Sequence, residues 1–234
     1  MHIKDLFHAV GPWTTMFNVD GEACGGTEDK EHDPVLLWEL EKIGGCKGKN
    51  IVELGPYEGG QTVALCRGGA NTVIGIESNP NAYVRCLVTK RVMNLHNAEF
   101  VYADAAKLLP LSKHPPIDFV LANGVLYHQR NPAKLIYDLA EMTDAVLVWT
   151  QVANDTSPSN LSAHCEVDEK LYHGRLNTYG ERKPEFSGGP NPTSLWLFPE
   201  EMRRCFKEAG FNNWIEKPCF ANGHGDCMLF VARK

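Results

Sequence analysis

The chain has 234 residues, with 23 Lys+Arg against 29 Asp+Glu for a formal net charge of −6, and 43% of its residues are hydrophobic. That length carries one large domain, or one domain with an appendage, and the composition excludes a disordered, collagenous or membrane-spanning chain. The acidic balance offers nucleic acid no net attraction, although it does not exclude such a partner.

Met1-His2-Ile3-Lys4-Asp5 has neither the basic nor the apolar part of a secretion signal, and no apolar run is long enough for a membrane span. A cytoplasmic protein without a membrane partner is expected. The cysteines, at 24, 46, 66, 86, 165, 205, 219 and 227, lack Cys-x-x-Cys pairs, and several lie in apolar periodic segments. Most are therefore read as small buried hydrophobes rather than zinc ligands or disulfide staples.

Residues 1–32 read as an N-terminal arm or flap and residues 33–234 as a single domain. In the arm, Trp13-Thr14-Thr15-Met16-Phe17 precedes Gly21, Gly25 and Gly26, and either closes over a ligand or packs on the core. Asp33-Pro34, then Leu36, Leu37, Leu40 and Ile43, then Gly44-Gly45, predicts a capped amphipathic helix with proline at its first position. A short buried strand, Asn50 to Leu54, leads through Gly55-Pro56-Tyr57-Glu58-Gly59-Gly60 into a helix from Gln61 to Gly68. The pattern recurs with a strand from Thr72 to Glu77 and a helix capped by Asn79-Pro80 that aligns Val84, Leu87, Val88, Val92 and Leu95 on one face. A third strand runs from Glu99 to Tyr102. A fourth, Ile117 to Ala122, follows the Pro115-Pro116 breaker; Asn131-Pro132 opens a helix carrying Leu135, Ile136 and Leu139; and Ala145 to Trp149 is a fifth strand.

Such alternation demands crossover connections, so the fold class is α/β with a doubly wound, mostly parallel sheet. Residues 151–196 break the pattern with Gly, Pro, Ser and Asn, and are read as an irregular, lid-like insert after strand five on the acceptor side. A helix from Pro199 to Ala209 and a final apolar stretch from Met228 to Ala232, antiparallel to its neighbours, complete the chain.

Sheets of this kind bind ligands at the carboxyl ends of their strands, so the residues that follow each strand are the candidates. Glu53, Gly55, Pro56, Tyr57 and Gly59 follow the first strand. Glu77 and Ser78 follow the second, where a carboxylate can accept both hydroxyls of a ribose. Asp104 and Ala105 follow the third, with an acid suited to an adenine amino group, and Asn123 and Gly124 follow the fourth. A dinucleotide and S-adenosylmethionine compete for this arrangement. The dinucleotide needs Gly-x-Gly-x-x-Gly, but Tyr57 stands at the second glycine and the acids Glu53 and Glu58 are poor hosts for phosphate. S-adenosylmethionine carries a sulfonium and a zwitterionic tail instead, which suits Glu53.

On these residues the chain from about 33 to 150 resembles the class I S-adenosylmethionine-dependent methyltransferases. Glu53, Gly55 and Gly59 match the acidic-x-Gly-x-x-x-Gly pattern, Glu77 the ribose acid, Asp104 the adenine acid and Asn123 the motif after strand four; Tyr57 departs from the commonest glycine. The resemblance implies a Rossmann-like, seven-stranded sheet, S-adenosylmethionine as cofactor, and a methionine tail held by the Gly55 to Gly59 turn. Glu53-Leu54-Gly55-Pro56, and Gly124-Val125-Leu126-Tyr127-His128 followed by Asn131-Pro132, also resemble a narrower group. That group holds the tRNA wobble-uridine carboxymethyltransferases and small-molecule relatives. Because the tRNA enzymes have longer N-terminal extensions and basic surfaces, the narrower likeness implies cofactor handling more than substrate.

The leading function is methyl transfer to an oxygen or nitrogen of a small-molecule acceptor. The alternatives are RNA modification by methyl or substituted-methyl transfer, and a non-catalytic S-adenosylmethionine-binding regulatory protein. His128, in the loop after the fourth strand, is the candidate base with an ordinary pKa of about 6.5, and His173 is its rival. Trp13, Tyr127, Tyr172, Tyr179 and Trp196, with Phe198, are candidates for the acceptor pocket. His164, Cys165, Glu166, Asp168 and His173, with Asp118 and Asp144, lack the paired spacing of metal frameworks, so no metal is expected. The oligomeric state is not legible.

Overall fold

The computed structural model describes residues 5–110, 116–154, 161–179, 191–218 and 226–234. Residues 1–4, Pro115 and Cys219, and within the insert residues 155–160 and 180–190, lie outside the described residues. The chain divides into two compact units, Met1–Ala103 and Asp104–Lys234.

The first unit opens with helix α1 (Asp5–Ala9) and a hairpin of β1 (Met16–Val19) and β2 (Glu22–Gly25). The hairpin turns at Asp20-Gly21, both with positive φ (53° and 85°), the conformation that matches strand twist in a two-residue connection. Phe7, Trp13 and Phe17 stack within 4.7–5.8 Å of one another, and the Trp13 indole N–H donates to the Phe7 carbonyl at 2.7 Å. These rings join Val63, Cys86 and Phe100 in one apolar cluster, so the arm packs on the core of its unit.

Helix α2 (Pro34–Ile43) begins as expected, with the Asp33 carboxylate accepting from Val35 N–H and Gly44 closing it at φ 85°. Next come β3 (Asn50–Leu54), α3 (Gly60–Arg67), β4 (Thr72–Glu77), α4 (Pro80–Val92) and β5 (Ala98–Tyr102). Strands β3 and β4 pair in parallel, as do β4 and β5. The expected apolar face of α4 is corrected. Val84 and Leu87 are exposed, while Ala82, Arg85, Cys86, Thr89 and Val92 are buried. The cause is polar: Cys86 Sγ donates to the Tyr57 carbonyl at 3.2 Å and Thr89 Oγ1 to the Glu58 carbonyl at 2.7 Å. Helix α4 turns toward the glycine turn the side chains that satisfy its carbonyls.

The second unit runs α5 (Ala105–Leu108), β6 (Phe119–Leu121), one 3₁₀ turn at Leu126–His128, α6 (Pro132–Met142) and β7 (Ala145–Gln151). Then follow β8 (Ser162–Val167), β9 (Lys170–Thr178), β10 (Thr193–Leu197), α7 (Pro199–Glu208), β11 (Asn213–Lys217) and β12 (Cys227–Arg233). Strand β6 is parallel to β7, and β12 is antiparallel to both β7 and β11, as its position at the end of the chain suggested. The seven strands β3–β7, β11 and β12 make up the mostly parallel sheet of a Rossmann-like α/β protein. Among the described residues no helix is long and apolar enough to cross a membrane.

Where it is described, the insert holds regular structure: β8, β9 and β10 form an antiparallel sheet. Its signals were weak in sequence. The β8–β9 turn is Asp168-Glu169, both at positive φ (48° and 64°) without a glycine. Gly174 stands within β9 because a Cβ there would lie 2.0 Å from the Trp196 carbonyl oxygen. One face of this sheet buries Cys165, Tyr172, Leu195 and Leu197. Tyr172 is fully buried, its hydroxyl donating to Glu208 Oε2 at 2.7 Å and lying 2.9 Å from Tyr137 Oη, with the Arg204 guanidinium 4.4 Å from its ring. Tyr172→Phe is expected to cost about 1 kcal/mol in urea unfolding. An unchanged midpoint would mean that these bonds do not hold β9 to its helices.

Six described cysteines (Cys24, Cys46, Cys66, Cys86, Cys165 and Cys205) are free thiols. Cys227 is disulfide-bonded.

Candidate active site

The glycine turn of the first unit is shaped by three positive φ values: 62° at Gly55, 59° at Tyr57 and 81° at Gly59. Tyr57, at the position where the resembled family prefers glycine, thus adopts a glycine-like conformation that costs an ordinary side chain roughly 1–2 kcal/mol. Its surroundings over-determine it. The Tyr57 N–H donates to Glu77 Oε2 at 3.0 Å, its carbonyl accepts from Cys86, and its hydroxyl lies 3.0 Å from Thr14 Oγ1. Gly59 N–H closes the turn onto the Pro56 carbonyl at 2.8 Å.

Two carboxylates flank this turn. Glu53, at the end of β3, is buried and accepts from Thr62 Oγ1 at 2.5 Å. Burial pushes its pKa up to about 7, the Thr62 bond pulls it back, and the Glu77 charge pushes it up again. Glu77, at the end of β4, is 4% exposed, and its Oε1 accepts from Asn79 N–H at 2.8 Å. Burial raises its pKa too, against the hydrogen bonds from the backbone of Asn79, Tyr57 and Ser78. Glu77, expected from the sequence to meet a ribose, thus anchors the turn through its backbone partners.

Glu58 was legible only as an acid unsuited to phosphate. It turns inward, fully buried, and accepts from Thr14 N–H at 3.0 Å and Thr15 N–H at 2.6 Å. Arg85 Nη1 lies 3.5 Å from the same carboxylate, and Arg85 Nε donates to the Val10 carbonyl at 3.3 Å. The arm is thus tied to the turn through one buried acid. No local signal marks this, because the partners lie far off in sequence. Trp13, expected at the acceptor, sits in the arm's own aromatic cluster.

In the second unit, Asp104 caps α5, its Oδ1 accepting from Ala106 N–H at 3.1 Å, and Ala105 behind it is buried. Asn123 continues the edge of β6: its Oδ1 accepts from Trp149 N–H at 2.7 Å, and Gly124 N–H donates to the Trp149 carbonyl at 2.8 Å. Gly124 has φ 76°, which lets the chain bend into the 3₁₀ turn that carries Tyr127 and His128.

Tyr127, His128, Tyr179 and Trp196 converge, joined by Trp149 and Ser194. The Tyr127 ring meets His128 at 4.1 Å between centroids and stands edge-on to Trp149 at 6.0 Å and to Trp196 at 5.9 Å. His128 Nδ1 lies 2.7 Å from Tyr179 Oη. Burial lowers the His128 pKa to about 4, so the ring is neutral across the physiological range rather than titrating near its ordinary value. Trp149 and Ser194 were not foreseen; each belongs to a strand whose inward face only the pairing register reveals. Tyr172 and His173 are not brought to this cluster. His173 is exposed beside His164, 6.0 Å between ring centroids, and its N–H donates to Glu201 Oε2 at 3.0 Å.

Known proteins share both the sequence pattern and the architecture. Residues 35–216 match a family described as a methyltransferase domain. Similar solved structures include the N-terminal domain of EvdMO1 in the presence of SAH and D-fucose, at 23% identity and TM-score 0.76, covering 99% of this chain and 95% of that one. A longer EvdMO1 chain is similar over 46% of its own length. An S-adenosylmethionine-dependent methyltransferase from Clostridium acetobutylicum ATCC 824 matches at 10% identity and TM-score 0.60, covering 88% of this chain and 92% of that one. Magnesium protoporphyrin IX methyltransferase from Synechocystis PCC 6803, with bound SAM, matches at 16% and 0.55, covering 86% and 77%. No curated protein matches by sequence. Those structures share the fold, and because the family match runs through most of the sequence, from α2 to β11, the chain belongs to the methyltransferase-domain family.

Proposed function

We propose that the protein transfers the methyl group of S-adenosylmethionine to a hydroxyl of a small-molecule acceptor. The buried Glu53 and Glu77 pair at the glycine turn carries this reading. Two carboxylates whose pKa values burial has raised are suited to a ligand that brings a positive ammonium and a pair of ribose hydroxyls. The family resemblance assigns Asp104 and Asn123 to the adenine side of the same cofactor, with Ser78, Ala105 and Gly124 as their neighbours in the motifs. When bound, the cofactor supplies a methyl already activated by its positive sulfur.

What remains for the protein is alignment, exclusion of water and removal of one proton. The half-buried cluster of Tyr127, Trp149 and Trp196 gives an acceptor aromatic walls, and His128 gives a neutral base. The acceptor oxygen forms its bond to the methyl carbon as the carbon–sulfur bond breaks and its electron pair returns to sulfur. The hydroxyl proton passes to the imidazole. D-fucose, present with the N-terminal domain of EvdMO1, makes polyhydroxylated rings the first acceptor class to screen.

RNA is the second reading, favoured by the likeness of Gly124 to His128 and Asn131-Pro132 to the wobble-uridine group. The net charge of −6 weighs against it. Incubation with S-adenosylmethionine and either a panel of sugars and other hydroxylated small molecules or bulk tRNA, followed by mass spectrometry, separates the two. A mass gain of one methylene on a small molecule is expected. Modification of tRNA alone would overturn the small-molecule reading.

A further inference from the structure

We propose that the N-terminal arm is a positioning element of the cofactor site: by clasping Tyr57 and Glu58 it holds the glycine turn in its binding shape, so that arm docking and cofactor binding strengthen each other. This rests on the reading above that the turn carries the cofactor, and every contact it uses lies within the first unit. Tyr57 stands at φ 59°, a left-handed conformation that a Cβ disfavours and that glycine adopts freely. A glycine at this position would need no support, but it would have no side chain to reach the arm. The Tyr57 phenol does reach it, with Oη 3.0 Å from Thr14 Oγ1. The buried carboxylate of the next residue, Glu58, accepts from the Thr14 and Thr15 N–H groups at 3.0 and 2.6 Å. Two successive residues of the turn thus hold two successive residues of the arm.

The arm is shaped to present those N–H groups. The Thr14 carbonyl accepts from Thr27 and Glu28 N–H at 3.0 and 2.9 Å, and the Thr15 carbonyl from Gly26 N–H at 2.8 Å. A Cβ on Gly26 would lie 2.2 Å from the Thr14 carbonyl oxygen, so this crossing requires glycine. The arm also presses on the helix that follows the turn: a Cβ on Gly60, the first residue of α3, would lie 2.8 Å from Thr15 Cγ2 and 2.5 Å from Lys30 Cβ. Arg85 completes the clasp from α4, with Nη1 3.5 Å from Glu58 Oε1 and Nε donating to the Val10 carbonyl at 3.3 Å. Lifting the arm would strip Glu58 of two donors, Arg85 of its carbonyl and Tyr57 of its hydroxyl partner. The turn then relaxes toward conformations that a tyrosine prefers, and the cofactor finds only a fraction of the molecules ready to bind it.

Calorimetric titration of the whole protein with S-adenosylhomocysteine, in two backgrounds, tests this. Glu58→Gln should weaken binding roughly 5–30-fold, the factor that corresponds to the left-handed penalty of one ordinary residue. In a Tyr57→Gly protein, whose turn needs no arm, the same substitution should weaken binding by no more than about twofold, the scatter of independent sites. Because linkage is reciprocal, saturating wild-type protein with S-adenosylhomocysteine should slow hydrogen exchange at the Thr14 and Thr15 amides. Equal losses in the two backgrounds, as a purely structural Glu58 would give, would overturn the proposal, and so would arm amides indifferent to the ligand. Should Glu58→Gln not fold, Thr14→Val, which removes only the hydroxyl that meets Tyr57, takes its place. It should weaken binding roughly 2–10-fold, the worth of one hydrogen bond, in the wild type and not in Tyr57→Phe; undiminished binding would overturn the proposal. Wild-type protein that binds no S-adenosylhomocysteine would bring down the cofactor reading itself, whereas each of the other outcomes leaves that reading standing.

Discussion

Glu53→Gln is expected to stabilise the free protein above neutral pH while weakening its hold on the cofactor. Glu53 has a pKa of about 7 in the folded chain against 4.5 ordinarily, chiefly through burial. The folded state therefore binds the proton more tightly than the unfolded state. Its contribution to stability is fully present below about pH 4.5 and is lost as the pH rises through about 7. Above that, the buried charge costs on the order of 3 kcal/mol, taking each pKa unit as roughly 1.4 kcal/mol. Glutamine keeps an oxygen for the Thr62 hydroxyl and carries no charge, so the variant should melt several degrees higher at about pH 8 and lose most of the slope between about pH 4.5 and 7. Cofactor affinity should fall by about 1.5–3 kcal/mol, the range for hydrogen bonds to charged groups. Denaturation curves and calorimetry on the same samples read both effects. Undiminished cofactor binding would remove Glu53 from the site.

His128→Ala should lower turnover by roughly 10²–10⁴, the usual contribution of a positioned base, while cofactor affinity stays nearly intact. Because burial holds the imidazole pKa at about 4, the wild-type rate should not rise with pH across the ordinary histidine range. The base is already in its neutral form there, and the step it governs falls near pH 4. Saturating the cofactor in each assay keeps the titration of Glu53 out of the profile. His173→Ala, on an exposed strand face, is the control and should leave turnover unchanged. Full activity of His128→Ala with its own acceptor would take His128 out of the chemistry, and equal losses in affinity and turnover would reassign it to holding the loop.

The parts of the fold legible in sequence are those whose signals are local. Asp33 caps α2 ahead of Pro34 at its first position, Asn79 caps α4 and Asn131 caps α6, each cap through its own side chain. The glycine turn follows β3 where the spacing put it, and Tyr57 takes the left-handed conformation despite its side chain. What escaped depends on distant partners. Arg85, Cys86 and Thr89 are buried on α4 because the turn's carbonyls and Glu58 need donors, which no helical periodicity encodes. The β8–β10 sheet hid behind a turn without glycine and a strand that carries Gly174 at its middle. The pairing of His128 with Tyr179 joins residues 51 positions apart and follows only from the register of β9 with β10.

Calorimetric titration with S-adenosylmethionine, and with its demethylated product, tests the central claim most directly. The account predicts saturable binding of both at about pH 8 and weaker binding at about pH 6, where Glu53 is protonated before the ligand arrives. A folded protein that binds neither compound at millimolar concentration would contradict it.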